Sequence, residues 1–303
     1  MTTSQPVRIK TISEFHRMRN LPAPEHPLIS VLNVHDFQYP PETRQLRIVM
    51  DFYSISLKRN CGKIRYGQQQ YDFDEGVLYF IAPNQVFQVE HNPEEPKQSG
   101  RMLLIHPDFL WKTPLAKTIH NYEFFSYSVN EALFLSEKEE AILLDILQNI
   151  QLEYNTNIDP FYQRIIASQI ETFLHYSERF YQRQFITRKP TNHQLLNRLN
   201  QLITDYFNNE ALSRTGLPSV QYIADQLHVS QGYLSSLLKH LTGQSTQYHI
   251  HQALIEKAKI KLSTTNLSIS EIAYELGFEH PQSFSKLFRA KTNFTPLEFR
   301  QSF

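Results

Sequence analysis

The residues SVQYIADQL at 219–227 return as SISEIAYEL at 268–276, with Ile223-Ala224 matched by Ile272-Ala273 at an offset of 49. Leu234, Leu237, Leu238, Lys239 and Thr242 then match Phe284, Leu287, Phe288, Arg289 and Thr292 at an offset of 50, so the second turn carries one inserted residue. A repeat of this length is two copies of one supersecondary unit. Each copy has a candidate N-cap serine (Ser219, Ser268), a short helix with a small alanine on its inner face, a tight turn (His228-Val229, Gly277-Phe278) and a second helix with apolar anchors at i, i+3, i+4. The alanine lets the two helices cross closely at a steep angle, as a helix-turn-helix requires. Gly243 and Asn293 stand where each second helix should stop, asparagine being the next-best residue after glycine for a left-handed cap.

Between the copies, Tyr248, His251, Ile255, Ala258 and Leu262 are spaced 3, 4, 3, 4 apart, which predicts one long helix over 244–263 with a buried seam. At 1.5 Å per residue such a helix spans about 30 Å, close to the ~34 Å of one turn of DNA. A strut of that length can present two recognition helices to successive major grooves on one face of a duplex. The residues then expected at base edges and phosphates are Gln231, Gly232, Ser235, Ser236 and Lys239 in the first copy, and Gln282, Ser283, Lys286 and Arg289 in the second. The second copy, richer in long polar side chains, is expected to give more of the direct readout. Net charge adds little: 30 Lys+Arg face 30 Asp+Glu, and the segment from His193 onward carries ten against eight. That small excess predicts a modest number of phosphate contacts.

Here the chain shows a family resemblance. From His193 onward the ordered combination Ile272-Ala273, Gly277-Phe278, Phe284-Ser285, Phe288, Thr295-Pro296 and Arg300 resembles the DNA-binding domain of the AraC/XylS family of bacterial transcription regulators. Leu254 stands where that family often has arginine, and Asn293 where it has glycine. The resemblance implies a DNA-binding regulator rather than an enzyme, with a cupin-like sensory domain upstream.

That upstream half holds 26 of the 38 aromatic residues, in short stretches alternating with polar ones. Segments 46–57, 63–66, 70–73, 77–81, 86–89 and 102–105 are strand-like, and they are broken by turn signals at Asn60-Cys61-Gly62, Asp74-Glu75-Gly76 and Ala82-Pro83-Asn84. Their spacing predicts an antiparallel barrel or sandwich whose interior is either solid core or a ligand cavity. Two amphipathic helices follow. The first opens on a capping box, Ser136 and Glu139, and the second on Asp159-Pro160. Their apolar faces either cover the barrel or form a homodimer interface. The expected class is therefore an α+β two-domain chain: a cupin-like β-barrel with trailing helices over 1–185, a linker over 186–192 and an all-α domain with two helix-turn-helix units over 193–303.

Other chemistry finds little support. The lone Cys61 rules out an intrachain disulfide and a cysteine-based zinc site, so a reducing, cytoplasmic setting is expected. His249 and His251, two apart on a helix, face different ways, and the strand region offers His91 and His106 without a His-x-His pair, so neither a metal site nor an enzyme is expected. Tyrosines interleaved with basic residues suggest an organic effector inside the barrel, with Arg65 and Tyr79 as the contacts. The expected partners are double-stranded DNA, a small-molecule effector, a second copy of the chain and RNA polymerase, with no cofactor, metal or membrane.

Overall fold

The apolar run at 46–57 reads as one strand, yet it bends at Asp51-Phe52 and gives one strand to each of two sheets. The bend is tied down from three sides: Asp51 pairs with Arg8 at 2.7 Å, its N–H donates to the Ile9 carbonyl, and the Asn84 N–H donates to the Met50 carbonyl. Phe52, fully buried, fills the corner. The computed structural model describes residues 6–40, 45–59, 64–66, 69–71, 76–90, 98–127, 131–156, 159–187, 189–208 and 212–302, and it divides the chain into two units, Met1–Ile186 and Thr187–Phe303.

In the first unit the described strands are β1 Val7–Ile9, β2 Ile29–Asn33, β3 Gln45–Met50, β4 Tyr53–Arg59, β5 Ile64–Tyr66, β6 Gln69–Tyr71, β7 Gly76–Ile81, β8 Val86–Glu90, β9 Ser99–Ile105 and β10 Leu133–Leu135. They form a three-stranded sheet in the order β1-β3-β8, a five-stranded sheet in the order β10-β7-β4-β9-β2 and a two-stranded ribbon β5-β6. The expected barrel is thus corrected: among the described residues the sheets are not closed into one. The two larger sheets share a core instead, in which Ile9, Ile48 and Met50 of one meet Leu32, Ile81, Met102 and Leu104 of the other. Helix α1, Ile12–Met18, starts on a Thr11/Glu14 capping box and adds Ile12 and Phe15 to that core. Two short helices follow β9, α2 Pro107–Leu110 and α3 Leu115–Thr118.

The trailing helices are α4 Glu137–Thr156 and α5 Tyr162–Thr187. The Ser136 capping box forms as the sequence predicts, with the Ser136 N–H donating to Glu139 at 2.9 Å and the Glu139 N–H to the Ser136 hydroxyl at 3.4 Å. Asp159 accepts from the N–H groups of Phe161 and Tyr162 and so starts α5. Helix α4 lies against β2, β9 and β10, and the Tyr154 hydroxyl accepts from the Val31 N–H of β2. On α5, Gln184 reads the backbone of β10 with both ends of its amide, accepting from Phe134 and donating to Ala132. Leu143, Leu147, Ile150, Ile166, Ile170, Phe173 and Leu174 are all fully buried, so these helices cover a sheet within one chain.

The segment expected as a linker over 186–192 is helical on either side of residue 188: α5 runs to Thr187, and α6, Lys189–Asn208, begins before His193. The unit boundary does fall at its first residues. Pro190 does not block α6 because a proline in a helix's first turn lacks only an N–H that would have no intrahelical partner. The second unit continues with α7 Leu212–Thr215, α8 Val220–Leu227, α9 Gln231–Thr242, α10 Thr246–Thr264, α11 Ile269–Glu275, α12 Pro281–Thr292 and α13 Pro296–Gln301. No helix among the described residues is long and apolar enough to cross a membrane.

Candidate nucleic-acid interface

Both copies of the repeat fold as helix, turn, helix, and each start is capped locally. Ser219, Ser230 and Ser245 accept from the N–H three residues on, at 3.0, 3.2 and 3.2 Å, and so begin α8, α9 and α10. Ser268/Glu271 and Thr295/Glu298 form full capping boxes at α11 and α13. Helix α12 lacks a side-chain cap and starts on Pro281. The ends also follow the sequence: His228 takes a left-handed φ of 60°, Gly243 of 72° and Asn293 of 64°. Gly277, at φ +81°, ends the turn of the second copy, and a Cβ there would lie 2.9 Å from the Leu212 carbonyl oxygen and 3.0 Å from the Gly216 Cα. Glycine is therefore required twice over, for its dihedral and for its space.

One core serves both copies. Ile223, Ala224 and Ile272, Ala273 are fully buried in a cluster with Leu199 and Ile203 of α6 and with Ile250, Leu254, Ile255, Ala258 and Leu262 of α10. The long helix is present, but its seam is corrected. Tyr248 and His251 are only half-buried, and Ile250 and Leu254 take the inner positions, because the first turn of α10 faces the end of α9 instead of the shared core. Thr242 and His249 meet at 3.0 Å across that junction. Leu254, where the resembling family often has arginine, is a fully buried core residue here.

On α9, Gln231 and Lys239 are exposed, while Gly232, Ser235 and Ser236 are half-buried; on α12, Gln282, Ser283, Lys286 and Arg289 are all exposed. Periodicity places Gln282, Ser285, Lys286 and Arg289 along one side of α12, opposite the buried Phe284 and Phe288. Lys286 and Arg289 line a groove of about 650 Å³ with Ser285, Ala290, Asn293 and Thr295. Sequence reasoning missed Ser285, Asn293 and Thr295, although the repeat itself aligns Ser285 with the chosen Ser235. Lys259 pairs with Glu256 and Lys261 with Glu275, at 2.8 and 2.6 Å, whereas among the described residues Lys239, Lys286 and Arg289 make no ion pair, Arg289 acting on the Glu298 carboxyl only from a distance. Unpaired cations on one helix face suit a polyanion, which releases counterions as each contact forms.

Hydrogen bonds from Ser268 hold the Glu271 carboxyl below its ordinary pKa, and those from Thr295 do the same for Glu298, with Arg289 adding a smaller pull. A depressed folded-state pKa contributes stability above the ordinary carboxylate value of 4.5, and this is lost as pH falls through the lower folded value. Acid titration should therefore loosen α11 and α13, and Glu271→Gln should flatten that pH dependence in circular dichroism melts of the full chain. An unchanged slope would mean that the α11 box does not report on folding.

Of the effector contacts expected in the first unit, only the Tyr79 side chain lies among the described residues. Tyr79 is half-buried on β7 against Val77, Ala132 and Phe134, and β5 holds Arg65 opposite Gln70, with the Arg65 side chain outside the described residues. Cys61 and His91 also lie outside them, and His106 accepts from the Asp108 N–H as the N-cap of α2. No group of three or more metal-ligating side chains occurs among the described residues.

Residues 223–302 match the family described as a helix-turn-helix domain. The chain is 29% identical over 253 residues to the HTH-type transcriptional activator RhaS of Enterobacter sp. (strain 638), covering 83% of this chain and 86% of that protein. It is 35% identical over 136 residues to the uncharacterized HTH-type transcriptional regulator YfiF of Bacillus subtilis (strain 168), covering 45% of this chain and 40% of that one. A solved structure, the C-terminal domain of AraT, a response regulator from Geobacillus stearothermophilus, shares 28% identity over 36% of this chain and 85% of that one, with a TM-score of 0.32. The matched region runs from Ile223 in the first copy through the whole of the second, and the RhaS match, over 83% of this chain, extends into the first unit. Residues 223–302 thus form a helix-turn-helix domain like those of the AraC/XylS family, and the chain is similar to DNA-binding transcription regulators.

Proposed function

We propose that the second unit reads double-stranded DNA with α9 and α12 in successive major grooves, and that α12 supplies most of the discrimination. The observation that carries this is the row of exposed Gln282, Lys286 and Arg289, unpaired on a helix whose other face is locked by Phe284 and Phe288. Gln282 and Arg289 suit adenine and guanine edges, and Lys286 a phosphate or a guanine. Gln231, Ser235, Ser236 and Lys239 play the lesser part, because the serines are half-buried and Gly232 has no side chain. Ser283 joins them at the start of α12. Genome-wide mapping of the DNA bound in cells, repeated with Gln282→Ala, tests this: the consensus should lose information at one position, and an unchanged consensus would remove α12 as the main reader.

The first unit is read as a cupin-like sensory module that binds an organic effector and forms a homodimer, placing paired sites on one operator. The output is activation through RNA polymerase in the cytoplasm, in keeping with the activator RhaS among the relatives. A module that only dimerises is the rival, favoured by the packing of Tyr79 onto Val77, Ala132 and Phe134. The faces expected for dimer contact are Ile142, Ile146 and Ile150 on α4 or Ile165, Ile170 and Phe173 on α5; Ile150, Ile170 and Phe173 are fully buried within the unit and Ile146 is half-buried, which leaves Ile142 and Ile165, with Leu152 and Phe161, at 37 to 61% exposure. Ile165→Glu together with Phe161→Glu should give monomers in analytical ultracentrifugation with little change in melting temperature. A dimer that survives both changes would move the contact off α5.

A further inference from the structure

His26 is 6% exposed where three elements of the first unit meet. It lies in the segment that leads into β2, with Phe109 of α2 perpendicular to its ring at 5.5 Å and Tyr162, the first residue of α5, beside it at 5.9 Å. Both ring nitrogens are engaged: the Leu28 N–H donates to Nδ1 at 3.1 Å, and Nε2 meets the Tyr162 hydroxyl at 3.3 Å. An amide N–H only donates, so Nδ1 carries no proton, and the one proton of the neutral ring sits on Nε2, directed at the tyrosine. A second link joins the same elements: Gln163 Nε2 donates to the Phe109 carbonyl at 2.5 Å and to the Trp111 carbonyl at 3.2 Å.

A second proton on His26 is not accommodated. It would turn Nδ1 into a donor facing the Leu28 donor, and would place a charge on a ring packed against two aromatic side chains. His16, also buried, shows the contrast: its Nδ1 faces the Pro22 carbonyl at 2.5 Å and its Nε2 the Ser30 hydroxyl at 3.1 Å, and since a hydroxyl can turn from donor to acceptor, a doubly protonated ring keeps both contacts. The titratable groups on the elements around His26 are Glu25 on its own segment, His106 and Asp108 at the start of α2, and Asp159, Tyr162 and Arg164 at the start of α5. Asp159 is occupied in capping α5, accepting from the Phe161 and Tyr162 N–H groups, and Asp108 lies 3.5 Å from His106. Burial is what lowers the pKa of His26 below its ordinary 6.5.

We propose that His26 is an acid-sensitive latch: neutral, it ties the starts of β2 and α5 to α2, and on taking up a proton it lets them part. The proton comes from solvent, the hydrogen bond from the Leu28 N–H to Nδ1 breaks, and no covalent bond changes. Because the fold holds the neutral ring, the latch is closed above 6.5, and its contribution is lost as pH falls below that value toward the lower folded one, opening growing by about tenfold per pH unit, the slope of a single proton. The stretch released carries Phe161 and Ile165, so acid acts on the surface taken above for dimer contact, while the latch itself rests on neither the dimer nor the DNA reading.

Trp111, the only tryptophan of the chain, follows α2 and reports on this junction through its Gln163 tether. Its fluorescence anisotropy in the full-length protein, followed from about pH 7.5 to about pH 5 beside far-ultraviolet circular dichroism, should fall in one step with a midpoint below 6.5 while the helix signal holds. His26→Asn should abolish the step, because the asparagine Oδ1 still accepts from Leu28 but does not titrate. His106→Asn, which removes the neighbouring histidine and keeps an acceptor at the start of α2, should leave the step in place. Hydrogen exchange of the parent at about pH 7.5 and about pH 5.5, corrected for the intrinsic rates, decides even where a variant fails to fold: protection should drop in residues 26–33 and 159–165 and hold in 45–59. The latch is overturned by an anisotropy that changes only together with the helix signal, by a step that survives His26→Asn or vanishes in His106→Asn, or by exchange that stays the same in 26–33 and 159–165.

Discussion

Gly277→Val should remove the second helix-turn-helix from the folded protein. Left-handed backbone costs a side-chain-bearing residue about 1–2 kcal/mol, and forced overpacking about 1–3 kcal/mol more. Here the obstacle is backbone, the Leu212 carbonyl oxygen and the Gly216 Cα, which cannot swing aside as a side chain would. The sum, about 2–5 kcal/mol, is comparable with the whole stability of a small domain. In urea denaturation the transition of the second unit should move to much lower denaturant while that of the first stays in place, and operator binding should be lost. Gly277→Ala should show the same pattern at smaller amplitude. A valine variant with parental midpoints would mean that the turn and the 212–216 segment separate freely in solution.

The second large effect falls on DNA without touching the fold. Lys286 and Arg289 are exposed and unpaired, so replacing both by alanine leaves the core of Phe284 and Phe288 intact. Losing one base contact and one phosphate contact should weaken operator binding by about 100- to 1,000-fold, with the slope of log affinity against log salt falling by about one to two. Lys239→Ala, on the poorer α9, should weaken binding far less. Fluorescence anisotropy across a salt series separates the contributions: a loss confined to the slope makes both residues phosphate binders, and a parental isotherm takes α12 out of the interface.

The second unit was legible because its information is local. Cap serines, the inner alanines and the left-handed Gly243 and Asn293 act within a few residues of their own position, so the repeat announced them. The register of α10 was less so: Tyr248 and His251 continue the 3-4 spacing, but which stripe faces inward depends on where α6 lies, and Ile250 and Leu254 prevail. Strand pairing in the first unit is decided at a distance. Val7–Ile9 is three residues long and gains its place only by pairing in parallel with β3, and Leu133–Leu135 likewise by joining β7. The bend at Asp51 depends on Arg8 and Asn84, far away in the chain.

The contact of Gly277 with Leu212 and Gly216 has a consequence for the DNA as well. It backs the second turn onto the segment that leads into α8, so on the proposed docking, with α9 and α12 in successive major grooves, neither reader can shift along the duplex without the other. Inserting a single base pair between the two half-sites rotates one relative to the other by about 35°, and a joint of backbone against backbone has no slack to follow it. On that docking, targets are expected to be constrained in length as strictly as in spelling. Promoters can exchange letters one at a time and keep some response, but a change of distance must arrive together with a change in the protein.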